Sequence, residues 1–134
     1  MRVILITGAT SGIGFETAKL FSKEEDTKVI SLSINLENIE KAKKELPNVE
    51  FLKCDISDYT ALINTEKEIE KEYGKIDVLV NNAGTIIPGD IETLSAENWD
   101  KVIKNNFSSY FYVSKVFLNL LKKGDNPNIV NISS

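Results

Sequence analysis

Histidine is absent from the 134-residue sequence, and cysteine occurs once, as Cys54. Without an imidazole, neither a Ser-His-Asp triad nor a Cys-His pair can form, and a single thiol excludes an internal disulfide and a zinc cluster of the usual Cys/His type. No apolar run approaches the ~20 residues that span a bilayer. Any chemistry must therefore use carboxylates, hydroxyls, amines, amides or a bound cofactor, and we predict no metal site.

The composition is that of an ordinary globular domain, with 42% hydrophobic and 27% charged residues. Lys and Arg number 16 against 20 Asp and Glu, and the basic residues are scattered among acidic ones, so no positive stripe is available for a nucleic-acid backbone. The apolar run at residues 3–6 is too short for a signal peptide. We predict a single domain over residues 1–134, cytoplasmic, that binds neither nucleic acid nor membranes.

Short β-rich runs alternate with longer stretches of helical period. The predicted strands are residues 3–6, 29–34, 49–54, 76–80 and 128–133. Strands separated by helices favour parallel pairing through right-handed crossovers. The sequence therefore predicts an α/β fold, a doubly wound Rossmann-type parallel sheet with strand order 3-2-1-4-5 and helices on both faces.

The predicted helices are read from the spacing of apolar residues. The first has Ile13, Thr17, Leu20 and Phe21 on one face, at i, i+4, i+7 and i+8, which predicts that this face is buried. The second occupies residues 36–46, and the third occupies residues 59–73 before a glycine stop. The fourth is one long helix that begins after an N-cap at residue 95 and has these inward positions: Trp99, Val102, Ile103, Phe107, Tyr110, Val113, Val116, Phe117, Leu120 and Leu121.

The turn after the first strand is rich in glycine. Residues 7–14 read Thr-Gly-Ala-Thr-Ser-Gly-Ile-Gly, between a strand and a helix. Backbone N–H groups and the positive end of a helix dipole at such a turn can receive a pyrophosphate. Glycine is needed where a Cβ would hold the phosphates away. The same residues also suit a simple tight turn without a ligand.

Four further segments follow in order along the chain. They are Cys54-Asp55-Ile56 after the third strand, Asn81-Asn82-Ala83-Gly84 after the fourth, Asn106 on the long helix, and Ile132-Ser133-Ser134 at the fifth. Together with the glycine turn, these segments resemble the short-chain dehydrogenase/reductase family, and the resemblance covers the whole chain. The family implies an oxidoreductase that transfers hydride between NAD(P)(H) and a carbonyl or alcohol substrate.

The resemblance implies two sets of site residues. The cofactor-binding residues are Thr7, Gly8, Ser11, Gly12, Ile13, Gly14, Ser33, Asp55, Ile56, Asn82, Ala83 and Gly84. The catalytic residues are Asn106, which in the family holds a water of the proton relay, and Ser134, whose hydroxyl bonds the substrate oxygen. Without the family, Asp55 suits an N-cap, residues 82–84 a strand-ending turn, and Asn106 a solvent-exposed position.

The residue at the end of the second strand indicates which of the two cofactors is preferred. NAD enzymes usually place an acid at its end to bind the ribose hydroxyls, whereas this sequence has Ser33 there. A 2′-phosphate is therefore not repelled, and we predict a weak preference for NADP(H) over NAD(H). Attraction by arginine is also missing, since Ser11 and Ile34 occupy the positions where NADP enzymes often carry one.

The family's general acid is a tyrosine followed four residues later by lysine. None of Tyr59, Tyr73, Tyr110 and Tyr112 has lysine at that spacing. We therefore predict that the 134-residue chain is a truncated dinucleotide-binding domain, inactive alone. The alternatives are a non-catalytic dinucleotide-binding module and an assembly module.

Self-association is expected as well. The fifth strand forms an uncovered sheet edge with Ile129, Val130 and Ile132. We predict that the long helix adds an apolar patch with Tyr110, Phe117 and Leu121. Together these surfaces predict a homodimer or a larger species.

Overall fold

The computed structural model describes residues 1–133. The strands are β1 (Arg2–Thr7), β2 (Thr27–Ser33), β3 (Val49–Lys53), β4 (Val78–Asn81) and β5 (Asn128–Asn131). The helices are α1 (Gly12–Phe21), α2 (Leu36–Glu45), α3 (Tyr59–Tyr73), α4 (Ala96–Ile103), α5 (Ser109–Val116) and α6 (Leu118–Lys122), with a π-helical turn (Lys104–Ser108) between α4 and α5. In this part of the chain no helix is long and apolar enough to cross a membrane.

The strands form one parallel sheet in the order β3-β2-β1-β4-β5. The predicted topology is confirmed. Central β1 pairs with β2 on one side and with β4 on the other, so that Ile4 is aligned with both Val29 and Val78. The chain therefore reverses its winding direction between β1 and β4, and in such sheets ligands bind beyond the carboxyl ends of the strands at this point.

Alternate residues of β1 face different helices, so helices cover both faces of the sheet. Leu5 belongs to a core cluster with Leu62 of α3 and Phe117, next to α6. Ile4 belongs to a second cluster with Ile39 of α2. The apolar strands are thus buried from both sides, as expected for a parallel sheet.

The predicted buried face of α1 is wrong at Ile13 and Leu20, whereas Phe21 packs against the second core cluster. Ile13 and Leu20 are 63% and 67% exposed, and the buried residues are Gly14 and Ala18. A Cβ on Gly14 would overlap the carbonyl oxygen of Gly8. The helix lies so close to the β1 turn that only small side chains fit between them.

The predicted long helix is interrupted twice. The π-helical turn Lys104–Ser108 separates α4 from α5, and Phe117 leaves helical geometry between α5 and α6. No residue of α4 or of the π-helical turn is buried. Trp99 and Phe107, which were predicted to point inward, are therefore exposed, and Phe107 is 76% exposed.

The predicted apolar patch on this helix is also wrong in its residues. Phe117 and Leu121 are buried in the core. The hydroxyl group of Tyr110 is bonded to the end of the fifth strand. The exposed aromatic residues are instead Trp99, Phe107 and Phe111.

Candidate functional site

A cleft of about 710 Å³ opens at the carboxyl ends of β1, β2, β3 and β4. Of the residues predicted to bind or act on a ligand, those that line it are Gly8, Ser11, Gly12, Ile13, Ser33, Asp55, Ile56, Asn82, Ala83, Gly84 and Asn106. Thr7 and Gly14 lie outside the lining and are buried. Ser134 lies outside the described residues, and Ile132, two residues earlier, lines the cleft.

The glycine turn joins β1 to α1 through left-handed backbone. Gly8 has φ +75° and Gly12 has φ +60°, values that L side chains rarely adopt. A Cβ on Gly8 would lie 2.8 Å from the Cα of Ala83, so the turn also needs glycine for close approach to the end of β4. At Gly12, in contrast, a Cβ would meet no atom within 4 Å. Its surroundings are open space at the mouth of the cleft.

Hydrogen bonds from Thr7 and Asn82 join the ends of β1 and β4. The buried Oγ1 of Thr7 accepts from the backbone N–H groups of Asn82 and Ala83, each at 3.0 Å. The Nδ2 of Asn82 donates to the carbonyl oxygens of Thr7, at 3.1 Å, and Gly8, at 3.0 Å. Asn82 therefore has a structural role in the turn whether or not a ligand binds.

The first turn of α1 leaves backbone donors available for an anion. Its N-cap Ser11 makes no side-chain capping hydrogen bond, and no acidic residue lies in this turn. The first N–H groups of any helix have no partner within the helix, and they carry partial positive charge. This helix end can therefore bind a phosphate through its backbone.

The β2 wall of the cleft combines aliphatic and uncharged polar side chains and carries no acidic residue. Ser33 is buried, and its hydroxyl lies 3.2 Å from that of Ser31, which accepts from the N–H of Ala9 at 3.1 Å. Asn35, the N-cap of α2, accepts from the N–H of Asn38, and both asparagines line the cleft. These two residues were not predicted from the sequence, although an Asn before a helical stripe is a recognisable N-cap signal.

Asp55 lines the cleft after β3 and is held by its neighbour. Its Oδ1 accepts from the N–H of Ser57 at 2.9 Å and from the Ser57 hydroxyl at 2.7 Å. The N-cap of α3 is Asp58, so Asp55 does not serve as the cap. Beside it, burial raises the pKa of the Cys54 thiol. Cys54 is therefore neutral near pH 7, and Asp55 is the one charged side chain in the lining of residues 1–133.

Asn106 lies in the π-helical turn and bonds the segment that follows β4. Its Oδ1 accepts from the N–H of Thr85 at 2.6 Å, and its Nδ2 donates to the Thr85 carbonyl at 2.8 Å. This reciprocal pair compensates for placing an asparagine inside a helical segment, where its side chain competes with backbone bonding. Thr85 was not predicted, because it takes part through backbone atoms that leave no mark on the sequence pattern.

Comparisons with known proteins agree with this geometry. The family model described as short chain dehydrogenase matches residues 2–134. A 3-oxoacyl-(acyl-carrier-protein) reductase from Thermotoga maritima is 38% identical over 137 residues, which cover 99% of this chain and 55% of that protein. A 3beta-hydroxysteroid dehydrogenase from Mediterraneibacter gnavus is 37% identical and is covered over 49% of its length.

Solved structures share the fold. The ligand-free aldohexose dehydrogenase of Thermoplasma acidophilum superposes with a TM-score of 0.87 at 37% identity, over 99% of this chain and 49% of that one. An actinorhodin polyketide ketoreductase variant with NADPH has a TM-score of 0.90 at 34% identity, over 99% of this chain and 53% of that one.

This chain spans about half the length of the curated relatives it matches. The family match nevertheless extends over nearly all of its residues, from 2 to 134, and includes every segment that surrounds the cleft. The chain therefore belongs to the short-chain dehydrogenase family of NAD(P)-dependent oxidoreductases.

Proposed function

We propose that the cleft binds a nicotinamide dinucleotide and that the protein containing residues 1–134 transfers hydride between this cofactor and a small carbonyl or alcohol substrate. The observation that carries the proposal is the meeting of the glycine turn, Asp55 and residues 82–84 around one cleft. The fit is good at the turn, because Gly12 leaves open space where the unpaired N–H groups of α1 can hold a pyrophosphate.

Each wall of the cleft suits a different part of the cofactor. Asp55 has a second carboxylate oxygen, besides the one bonded to Ser57, that can accept from the adenine amino group. The backbone of residues 82–84 lies beside the ribose in this proposal. When bound, the cofactor would donate hydride to a carbonyl substrate or accept it from an alcohol. The chain's own residues hold its adenosine half and exclude water from one side.

The catalytic roles belong to Asn106 and Ser134. The side chain of Asn106 makes one hydrogen bond at each of its polar atoms with Thr85, so its part in a proton relay is to fix the π-helical turn against the segment after β4. Ser134 would donate a hydrogen bond to the substrate oxygen. A non-catalytic dinucleotide-binding module is the alternative function.

We expect NADPH to bind about threefold more tightly than NADH, because Ser33 removes the carboxylate that repels a 2′-phosphate. The Asn35 and Asn38 amides on the same wall can donate to that phosphate.

Gly12→Ala should weaken the binding of both cofactors about tenfold or more, since the new methyl group occupies the phosphate space. Isothermal titration calorimetry measures all three affinities.

Gly74→Ala is the matched control. Gly74 has φ +73° at the C-cap of α3, so alanine suffers a comparable backbone strain there but lies outside the cleft. Its affinity for NADPH should stay within about twofold of the wild-type value. Equal loss of binding in both glycine variants would contradict the phosphate position, and tighter binding of NADH would reverse the cofactor preference.

We also propose self-association into a homodimer or larger species. Trp99, Phe107 and Phe111 are each exposed, and β5, the last strand of the described sheet, exposes Ile129 and Val130. Light scattering at high micromolar concentration should give at least the dimer mass, and Phe107→Ser should shift it toward the monomer because the substitution removes apolar surface. A monomer mass for the unmodified chain would overturn this proposal.

A further inference from the structure

The hydrogen-bond ladder between the parallel strands β4 and β5 ends at Ile132. The N–H of Ile132 still donates to the carbonyl of Asn81 at 2.9 Å. Beyond this bond, β4 has no donor left for β5, because the N–H groups of Asn82 and Ala83 turn toward Thr7. The carbonyl oxygen of Ile132 therefore needs a partner from outside the sheet.

Tyr110 supplies that partner. Its hydroxyl group donates to the carbonyl oxygen of Ile132 at 2.7 Å, across from α5. One turn further along the same helix, the Nδ2 of Asn81 donates to Ser114 at 3.1 Å and to the side-chain oxygen of Asn131 at 2.9 Å. Helix α5 is therefore bonded directly to Ile132, the residue after β5, and through Asn81 of β4 to Asn131.

We propose that Tyr110 is a positioning residue, which holds the Ile132 backbone as one wall of the cleft, two residues before Ser134 in the sequence. Tyr110 does not itself line the cleft, so it acts through Ile132. The inference rests on the proposed function, because the residue whose placement matters is the candidate that bonds the substrate oxygen.

The hydrogen bond from Tyr110 to Ile132 is expected to persist at neutral pH. Burial raises the pKa of the Tyr110 phenol, so the hydroxyl remains a donor throughout the neutral range. Helix α5 is packed onto the core, because its Ser109 and Val113 side chains are buried. The side chain of Ile132 is half-buried against the core cluster that contains Ile4 and Ile39. Its carbonyl group is the atom through which α5 holds the residue after β5.

Tyr110→Phe removes the hydroxyl and keeps the ring. In the full-length protein we expect kcat to fall about tenfold, since small misplacements of reacting groups carry large rate penalties. The Kd for NADPH should change by less than about twofold, because the glycine turn and Asp55 are untouched. The amides of residues 132–134 should exchange hydrogen with solvent faster, as measured by NMR or mass spectrometry.

Tyr112→Phe is the matched control, because Tyr112 lies on the same helix as Tyr110 but its ring packs edge-on against Tyr59 of α3. This variant should match the wild type in exchange and in kcat. Unchanged exchange in Tyr110→Phe, or equal losses of kcat in both variants, would overturn the positioning role. If the wild-type protein shows no carbonyl reduction, the proposed function is wrong instead. Faster exchange at residues 132–134 in Tyr110→Phe would in that case still support the positioning role of Tyr110.

Discussion

Replacing Asp77 with asparagine is expected to lower the free energy of unfolding by about 3 kcal/mol, because it breaks a buried, hydrogen-bonded ion pair. The Asp77 side chain is 2% exposed and lies 2.9 Å from the ammonium group of Lys75. It also accepts from the N–H groups of Val3, at 2.7 Å, and Asp125, at 2.6 Å. One carboxylate thus joins β1, β4 and the turn before β5.

The pH dependence of this effect has a definite sign. Burial alone would raise the pKa of Asp77, but the bonds from Lys75, Val3 and Asp125 outweigh it and hold the pKa below its usual value. A depressed pKa in the folded state means that the stabilisation is present above the unfolded pKa of about 3.9 and is lost as the pH falls through the folded value. Urea unfolding at pH 7 and pH 3 should show this loss in the wild type and a smaller one in Asp77→Asn.

Glu70→Gln is the control for an exposed pair. Glu70 and Lys123 are also 2.9 Å apart, but about half of each side chain is exposed to solvent. Solvent-exposed pairs contribute little, so this change should alter the unfolding free energy by about 0.5 kcal/mol or less. Equal effects of the two substitutions would contradict the role assigned to burial at Asp77.

The order and type of the elements could be predicted from the sequence because strand and helix periods alternate clearly. Residues 59–73 show this well, since α3 occupies that range and ends at Gly74. The faces were harder to predict. Apolar spacing favoured Ile13 and Leu20 as buried, but contact distance decided the outcome, since only Gly14 and Ala18 are small enough for α1 to approach the sheet.

The interruption at Asn106 shows a second limit of periodicity. An apolar repeat over residues 99–121 predicts a continuous helix, whereas the π-helical turn inserts an irregular step into it. The asparagine was recognisable as needing compensation, yet its partner was not, because Thr85 contributes only its backbone N–H and carbonyl. The order of the motifs therefore predicted where the cleft lies. The hydrogen bonds that shape it could not be predicted, because they involve backbone atoms.

The 134-residue chain alone is expected to bind dinucleotide and to show no detectable carbonyl reduction. Proton delivery to the substrate oxygen needs a general acid, worth typically ~10²–10⁴-fold in rate. The candidates within these residues are the four tyrosines, and none of them lines the cleft. Burial raises the pKa of Tyr110 and of Tyr73, the latter with help from Glu50, which is opposite to what an acid working near neutral pH requires.

The measurement is the decrease of NADPH absorbance with a panel of ketones, for residues 1–134 and for a longer protein that carries a Tyr-x-x-x-Lys segment after Ser134. The longer protein should turn over, and Ser134→Ala should reduce its kcat by about 10²-fold or more, because a hydrogen bond to the developing oxyanion is lost. Ser133→Ala, one residue earlier, is the control and should leave kcat within about threefold of the wild type. Rapid NADPH oxidation by residues 1–134 that survives Ser134→Ala would show that another group delivers the proton.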